Sequence, residues 1–198
     1  MTTKSHYYFG AYLLSSGLNG INKLEKASFL YGCMEPDFNP GTYLKGSVHV
    51  QKLRGHNFQN MLPCIEKLFE KIEHHKPFGI LYFYRLGKLT HYLIDAFTYP
   101  HNSIFCGSIK DHILYEAKLQ ELFICSLKKC QMPLDNQSYE NPYMMFLKTH
   151  KEYLSMEMGE ERDIYFAQCV IPNIVYSVYA QSFYLSKLEV LYENFTNI

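Results

Sequence analysis

The segment 77–98 constrains the fold more than any other stretch of the chain. Pro77 suits a helix start, Pro100 forbids continuation, and the residues between are apolar over most of a helix circumference. A helix apolar on nearly all sides belongs at the centre of a protein, so other elements must surround it. The remaining periodicity is helical too. Residues 6–16 read as a first helix, ending at Gly17 and the Asn19-Gly20 turn. Residues 21–31 read as a second, with Leu24, Phe29 and Leu30 at helical spacing and Gly32 as its stop. Residues 33–47 hold Pro36, Pro40, Gly41 and Gly46 and read as a long loop. Residues 57–74 are apolar at Met61, Ile65, Leu68 and Ile72. Further helices are expected over 111–129, 142–154 and 160–194, the last kinked near Pro172, with a turn at 133–139. No strand-like alternation, repeat or linker divides the chain. The expectation is an all-α fold, one domain over 1–198, a bundle of six or seven helices with a long loop near the start.

Composition narrows what such a bundle does. The chain has 198 residues, 47% apolar and only 19% charged, enough to bury a core and too apolar for disorder. Nineteen basic residues balance nineteen acidic ones, so no general nucleic-acid binding is expected. No apolar run reaches the roughly 18 to 20 residues needed to span a bilayer. The start lacks an apolar stretch followed by small residues, so no secretory signal is expected. The six cysteines, at 33, 64, 106, 125, 130 and 169, form no CxxC pair. They read as reduced thiols of a cytoplasmic protein. Eighteen Tyr and fourteen Phe, without Trp, are core fillers, including those in 78–84.

The chemistry lies in the histidines. His91 and Asp95 stand at i, i+4 on one face of the central helix, and His112 and Glu116 repeat that spacing on the next. His101 follows Pro100 between them. One such pair is usually a surface contact worth about 0.3 kcal/mol. Two pairs with a Pro-His between them are harder to place by accident, and a buried polar pair in an apolar helix needs a partner. A metal ion is one way to satisfy both. Further donors lie upstream: Asp37, His49, His56, His6 and the N-terminal amine of Met1. His74-His75, beside Lys71 and Lys76, read as an exposed helix end. His150, between Thr149 and Lys151, reads as solvated, and Cys33 as a buried thiol rather than a ligand.

The order His6, Asp37, His56 (or His49), His91-x-x-x-Asp95, His101, His112-x-x-x-Glu116 resembles the zinc-dependent phospholipase C family, related to the S1/P1 nucleases. The match runs over residues 6–116, and the two i, i+4 pairs with the His101 offset are its specific part. The resemblance implies an all-α fold whose N-terminal loop bears metal, with two or three Zn2+ ions. Asp37, the upstream His, His91 and Asp95 would hold one ion. His101, His112 and Glu116 would hold a second. His6, the Met1 amine and carbonyl, and a bridging Asp95 would hold a third. Asp37 would also be the general base, with metal-bound water attacking phosphorus in a phosphodiester. His56 is preferred to His49 because Gly55 lets the backbone approach closely.

The chain departs from the secreted members in being shorter and in its residues where head-group specificity is set. No amphipathic basic helix suited to a bilayer face is evident, so small phosphodiesters stand beside phospholipid-like substrates. Two other readings remain at this level: a single-strand nuclease of the S1/P1 type, and a non-catalytic helical protein stabilised by metal. A coordination set closed to water would favour the latter.

Overall fold

The first helix starts from a side chain. Thr2 accepts a hydrogen bond from the Ser5 N–H and opens α1 (Thr3–Ser16), which ends at Gly17. Gly20, at φ 76°, makes the turn that follows. Asn22 then opens α2 (Lys23–Phe38) in a capping box: its carboxamide accepts from Leu24 and Glu25, and the Glu25 carboxylate accepts from the Asn22 N–H. The structure is a computed structural model and describes residues 1–39, 41, 57–73, 79–127 and 141–196. After α2 come α3 (Phe58–Glu73), α4 (Ile80–Ala96), a 3-10 turn (Tyr99–His101), α5 (Ile109–Leu127), α6 (Pro142–Ser155) and α7 (Glu160–Tyr165). A π turn (Phe166–Val170) joins α7 to α8 (Ile171–Thr196). No strand occurs among the described residues. The protein is an all-α bundle, as the periodicity predicts. Among the described residues no helix is long and apolar enough to cross a membrane.

Helix α4 is the central element. Every residue from Leu89 to Ala96 is buried, and α1, α2, α3 and α8 pack around the helix. Its aromatic start is core as expected, with Tyr82 and Phe83 buried. In α3 the buried stripe is Met61, Ile65, Phe69 and Ile72. Leu24, placed at the spacing of Phe29, instead points outward at 68% exposure.

Helix α2 corrects the sequence reading. Gly32 does not stop it: the helix continues to Phe38, so Asp37 sits on a helical turn rather than on a loop. The reason is a close crossing with α4. A Cβ on Gly32 would lie 2.3 Å from the Tyr84 carbonyl oxygen, and one on Gly87 would lie 2.1 Å from that of Phe29. Two glycines therefore let the backbones touch. A glycine inside a helix costs about 1 kcal/mol, and the packing it permits outweighs that. Pro36 falls in the last turn, where it interrupts one backbone bond rather than a run of them.

The final helical stretch is interrupted just before Pro172, by the π turn at Phe166–Val170. The Ile171 N–H donates to the Phe166 carbonyl, an i to i+5 bond that accommodates the proline. The Asn173 carboxamide donates to the Cys169 carbonyl at 2.9 Å.

Helix propensity and packing predict opposite signs for Gly87→Ala. Propensity alone raises stability by about 1 kcal/mol. The clash with Phe29 predicts a loss of about 2 to 3 kcal/mol. Chemical denaturation followed by circular dichroism measures it; unchanged or increased stability contradicts the close crossing.

Candidate metal centre

The crossing of α2 and α4 builds the first part of the site. The His91 ring nitrogen Nδ1 donates to the Cys33 carbonyl at 2.8 Å, which turns Nε2 towards acidic groups. Nε2 lies 3.2 Å from Asp95 Oδ2, one helical turn on, and 3.7 Å from Asp37 Oδ1 at the end of α2. A histidine held by a backbone carbonyl at one nitrogen and presenting the other is the usual arrangement of a metal ligand. The Cys33 thiol itself is buried, and burial pushes it up.

Helix α1 brings His6 against this pair. Its ring stacks on His91 with centroids 3.8 Å apart, and its Nε2 lies 3.3 Å from Asp95 Oδ1. His6 is fully buried, and among the described residues neither of its ring nitrogens makes a hydrogen bond. Burial, helped by the neighbouring His91, pulls its pKa down to about 4. A buried neutral imidazole whose nitrogens lack hydrogen bonds is costly for the fold and well suited to a cation.

The second part lies on the turn after α4 and on α5. His101 Nε2 and His112 Nε2 both stand 3.0 Å from Glu116 Oε1. The Met1 amine sits between the two parts. It lies 2.6 Å from Asp95 Oδ1, 3.0 Å from Glu116 Oε1 and 3.1 Å from His101 Nε2. Burial alone would lower this amine, yet the Asp95 and Glu116 carboxylates lift it to about 11. Burial pushes the Asp95 carboxyl up, but His101, the amine, His91 and His6 outweigh that and hold it well below the usual carboxylate range. Glu116 is likewise held low against its burial by the amine, His101 and His112. For His101, burial lowers the pKa, but Asp95 and Glu116 together outweigh it and hold the ring above its usual value.

Two compact donor groups result: His6, His91 and Asp95, all buried, and His101, His112 and Glu116. Within each, the ligating atoms lie inside 4.8 Å of one another. Asp95 faces both, with Oδ2 towards His91 and Oδ1 towards His6, the Met1 amine and, at 3.6 Å, His101. Mixed imidazole and carboxylate donors suit zinc, and the nitrogens of His6 give the fit an independent sign. The arrangement is reachable from one side, because the His112 side chain is 32% exposed. Of the expected donors, His6, Asp37, His91, Asp95, His101, His112 and Glu116 are brought together. His56 and His49 lie outside the described residues, as do His74 and His75.

The supporting residues are less visible in sequence. Asn102 donates from Nδ2 to the Ala96 and Thr98 carbonyls, pinning the turn that carries His101. His150 donates from Nε2 to Asn102 Oδ1 at 3.0 Å and stacks on Phe58. It is buried, contrary to the solvated reading, and burial lowers it to about 4. Its lysine neighbours hid that it faces the opposite side of α6, among Phe97, Phe146 and Tyr153. Asp111 acts locally, its carboxylate accepting from the Ser108 backbone and hydroxyl ahead of α5.

No curated protein and no solved structure matches the chain. A profile of the family described as zinc dependent phospholipase C matches residues 5–164, which span both donor groups and the helices that carry them. The chain belongs to the zinc-dependent phospholipase C family.

Proposed function

We propose that residues 1–198 form one catalytic domain that hydrolyses phosphodiesters with two or three zinc ions, in the manner of a phospholipase C. The observation that carries the reading is the position of Asp95, whose two carboxylate oxygens face different sets of nitrogens from the bottom of a buried cluster. On the Oδ2 side, His91 and Asp37, with His56 (or His49), hold one ion. On the Oδ1 side, His6 and the Met1 amine hold another. His101, His112 and Glu116 hold the remaining one.

Zinc in such a site lowers the pKa of water and offsets charge on the phosphoryl oxygens. The chain's own residues do the rest. Asp37 is half-buried at the edge of the cluster, and its carboxylate accepts the proton of the attacking water. Cys33 and Asn102 keep His91 and His101 oriented through backbone and carboxamide contacts. The partly exposed His112 side leaves room for substrate, which favours an enzyme over a closed structural site. The neutral charge balance favours a small or lipid-like phosphodiester over a nucleic-acid strand. A cytoplasmic setting is part of the proposal, supported by the thiols of Cys33, Cys64, Cys106 and Cys125, which form no disulfide among the described residues.

Metal analysis of the purified chain is expected to find about two to three zinc ions per molecule; fewer than one contradicts the reading. The chain is expected to hydrolyse p-nitrophenyl-phosphocholine and to leave a single-stranded oligonucleotide intact. The reverse pattern replaces this reading with the nuclease one. Asp95→Ala is expected to lose metal and activity together. Full retention of both rules out its bridging position. Asp37→Asn is expected to lower turnover by about 100-fold or more while the His101, His112 and Glu116 group keeps its ion. Unchanged turnover removes Asp37 from the role of base.

A further inference from the structure

Another fully buried carboxylate ties down the elements that carry the second ligand group. Asp163, on α7, is fully buried. Burying a carboxylate is costly unless its lone pairs are used, and here each oxygen has its own set of donors. Oδ1 faces the core, accepting from the Tyr153 hydroxyl at 2.8 Å and from Arg162 Nη2 at 3.4 Å. Arg162 is itself engaged, its guanidinium stacked over the Tyr153 ring at 3.8 Å and donating to the Tyr153 and Met156 carbonyls. Oδ2 faces the 3-10 turn and α5. It accepts from the Tyr99 backbone N–H at 2.8 Å and from the Tyr115 hydroxyl at 2.9 Å.

Those two donors belong to the two elements that make up the second ligand group. Tyr99 opens the 3-10 turn that ends at His101. Tyr115 lies on α5 between His112 and Glu116. The chain joining turn to helix, residues 102–108, contains no helix of its own. Phe105 within it packs edge to face on Tyr99 and on His112, and Asp163 adds a direct hydrogen bond to each element. One oxygen atom therefore ties together the two halves of a group whose ligating atoms must stay within a narrow span. The Tyr99 and Tyr115 rings, edge to face at 5.6 Å, close the same gap.

We propose that Asp163 is the positioning residue of the second ligand group: through Oδ2 it fixes the turn bearing His101 against the helix bearing His112 and Glu116, and so sets that group's affinity for zinc. The proposal rests on the zinc reading above. Its physical basis is that a cation pulls hardest on ligands already held at its bonding distance, and that contacts one layer behind the ligands govern this.

The test uses the full chain and zinc alone. Zinc is titrated against a competing chelator into the wild type, Tyr115→Phe, Tyr153→Phe and Asp163→Asn, with thermal unfolding of each metal-free protein in parallel. Tyr115→Phe removes one bond to Oδ2 and keeps the ring. It is expected to weaken one zinc ion by about 10- to 100-fold and leave the other ions at wild-type affinity. Tyr153→Phe removes a bond to Oδ1 and is expected to lower the unfolding temperature without changing zinc affinity. Asp163→Asn keeps the size, loses one acceptor, and is expected to reproduce the selective zinc loss. Wild-type zinc affinity in both Tyr115→Phe and Asp163→Asn, with only lowered unfolding temperatures, overturns the positioning role. A wild type that takes up less than one ion overturns the metal reading and the clamp with it, a failure seen before any variant is made.

Discussion

The structure depends on a carboxylate placed where water cannot reach it. Asp95 lies in a run of α4 that is buried at every position, and an isolated charge there would cost several kcal/mol even after relaxation, of order 5. The fold meets that cost with positive or metal-binding groups from four places: the chain start, α1, α4 itself and the turn beyond it. Each of these is fixed by an independent device. Thr2 caps the first turn of α1, the Cys33 carbonyl holds His91, and Asn102 holds the turn of His101. Within the cluster the Met1 amine and the Asp95 and Glu116 carboxylates stabilise one another's charged forms, while burial keeps His6 neutral. In the proposed reading, divalent cations would replace several of these contacts with short, strong ones.

The close crossing of α2 and α4 links fold to chemistry. Gly32 and Gly87 bring the two backbones together, and that approach puts the Cys33 carbonyl within bonding distance of His91 and Asp37 within 3.7 Å of it. The glycines are thus part of the site although neither touches it. Asn102, His150 and Phe58 form a comparable support on the other side, where a neutral histidine packs as an aromatic ring and donates one hydrogen bond. In both places backbone carbonyls or neutral side chains orient the donors, which leaves the charge balance to the cluster itself.

Much of this was legible in the sequence, for physical reasons. The i, i+4 pairs His91/Asp95 and His112/Glu116 are local, and helix geometry alone puts each pair on one face. The apolar circumference of α4 announced its central place. What was misread turned on contacts between distant segments. Gly32 carries the same local signal whether it ends a helix or admits a neighbour, and only the opposing Gly87 tells the two apart. His150 sits between hydrophilic neighbours in sequence, but one helix face separates it from them in space. Asp163 gave no local sign at all, since its partners Tyr99 and Tyr115 lie far back along the chain. In sequence the Met1 amine is reached only through its nearness to His6 and the family resemblance; in the structure it donates to Asp95 Oδ1 at 2.6 Å.

The central claim is that the two oxygens of one buried carboxylate serve different cations. Crystals grown with zinc and measured on both sides of the zinc absorption edge test it directly, because anomalous scattering places the metal without reference to the ligands. The account predicts a peak on each side of Asp95, about 2.0 to 2.2 Å from Oδ1 and from Oδ2 respectively. Zinc bound only elsewhere on the protein, with no peak at bonding distance from either oxygen, contradicts it.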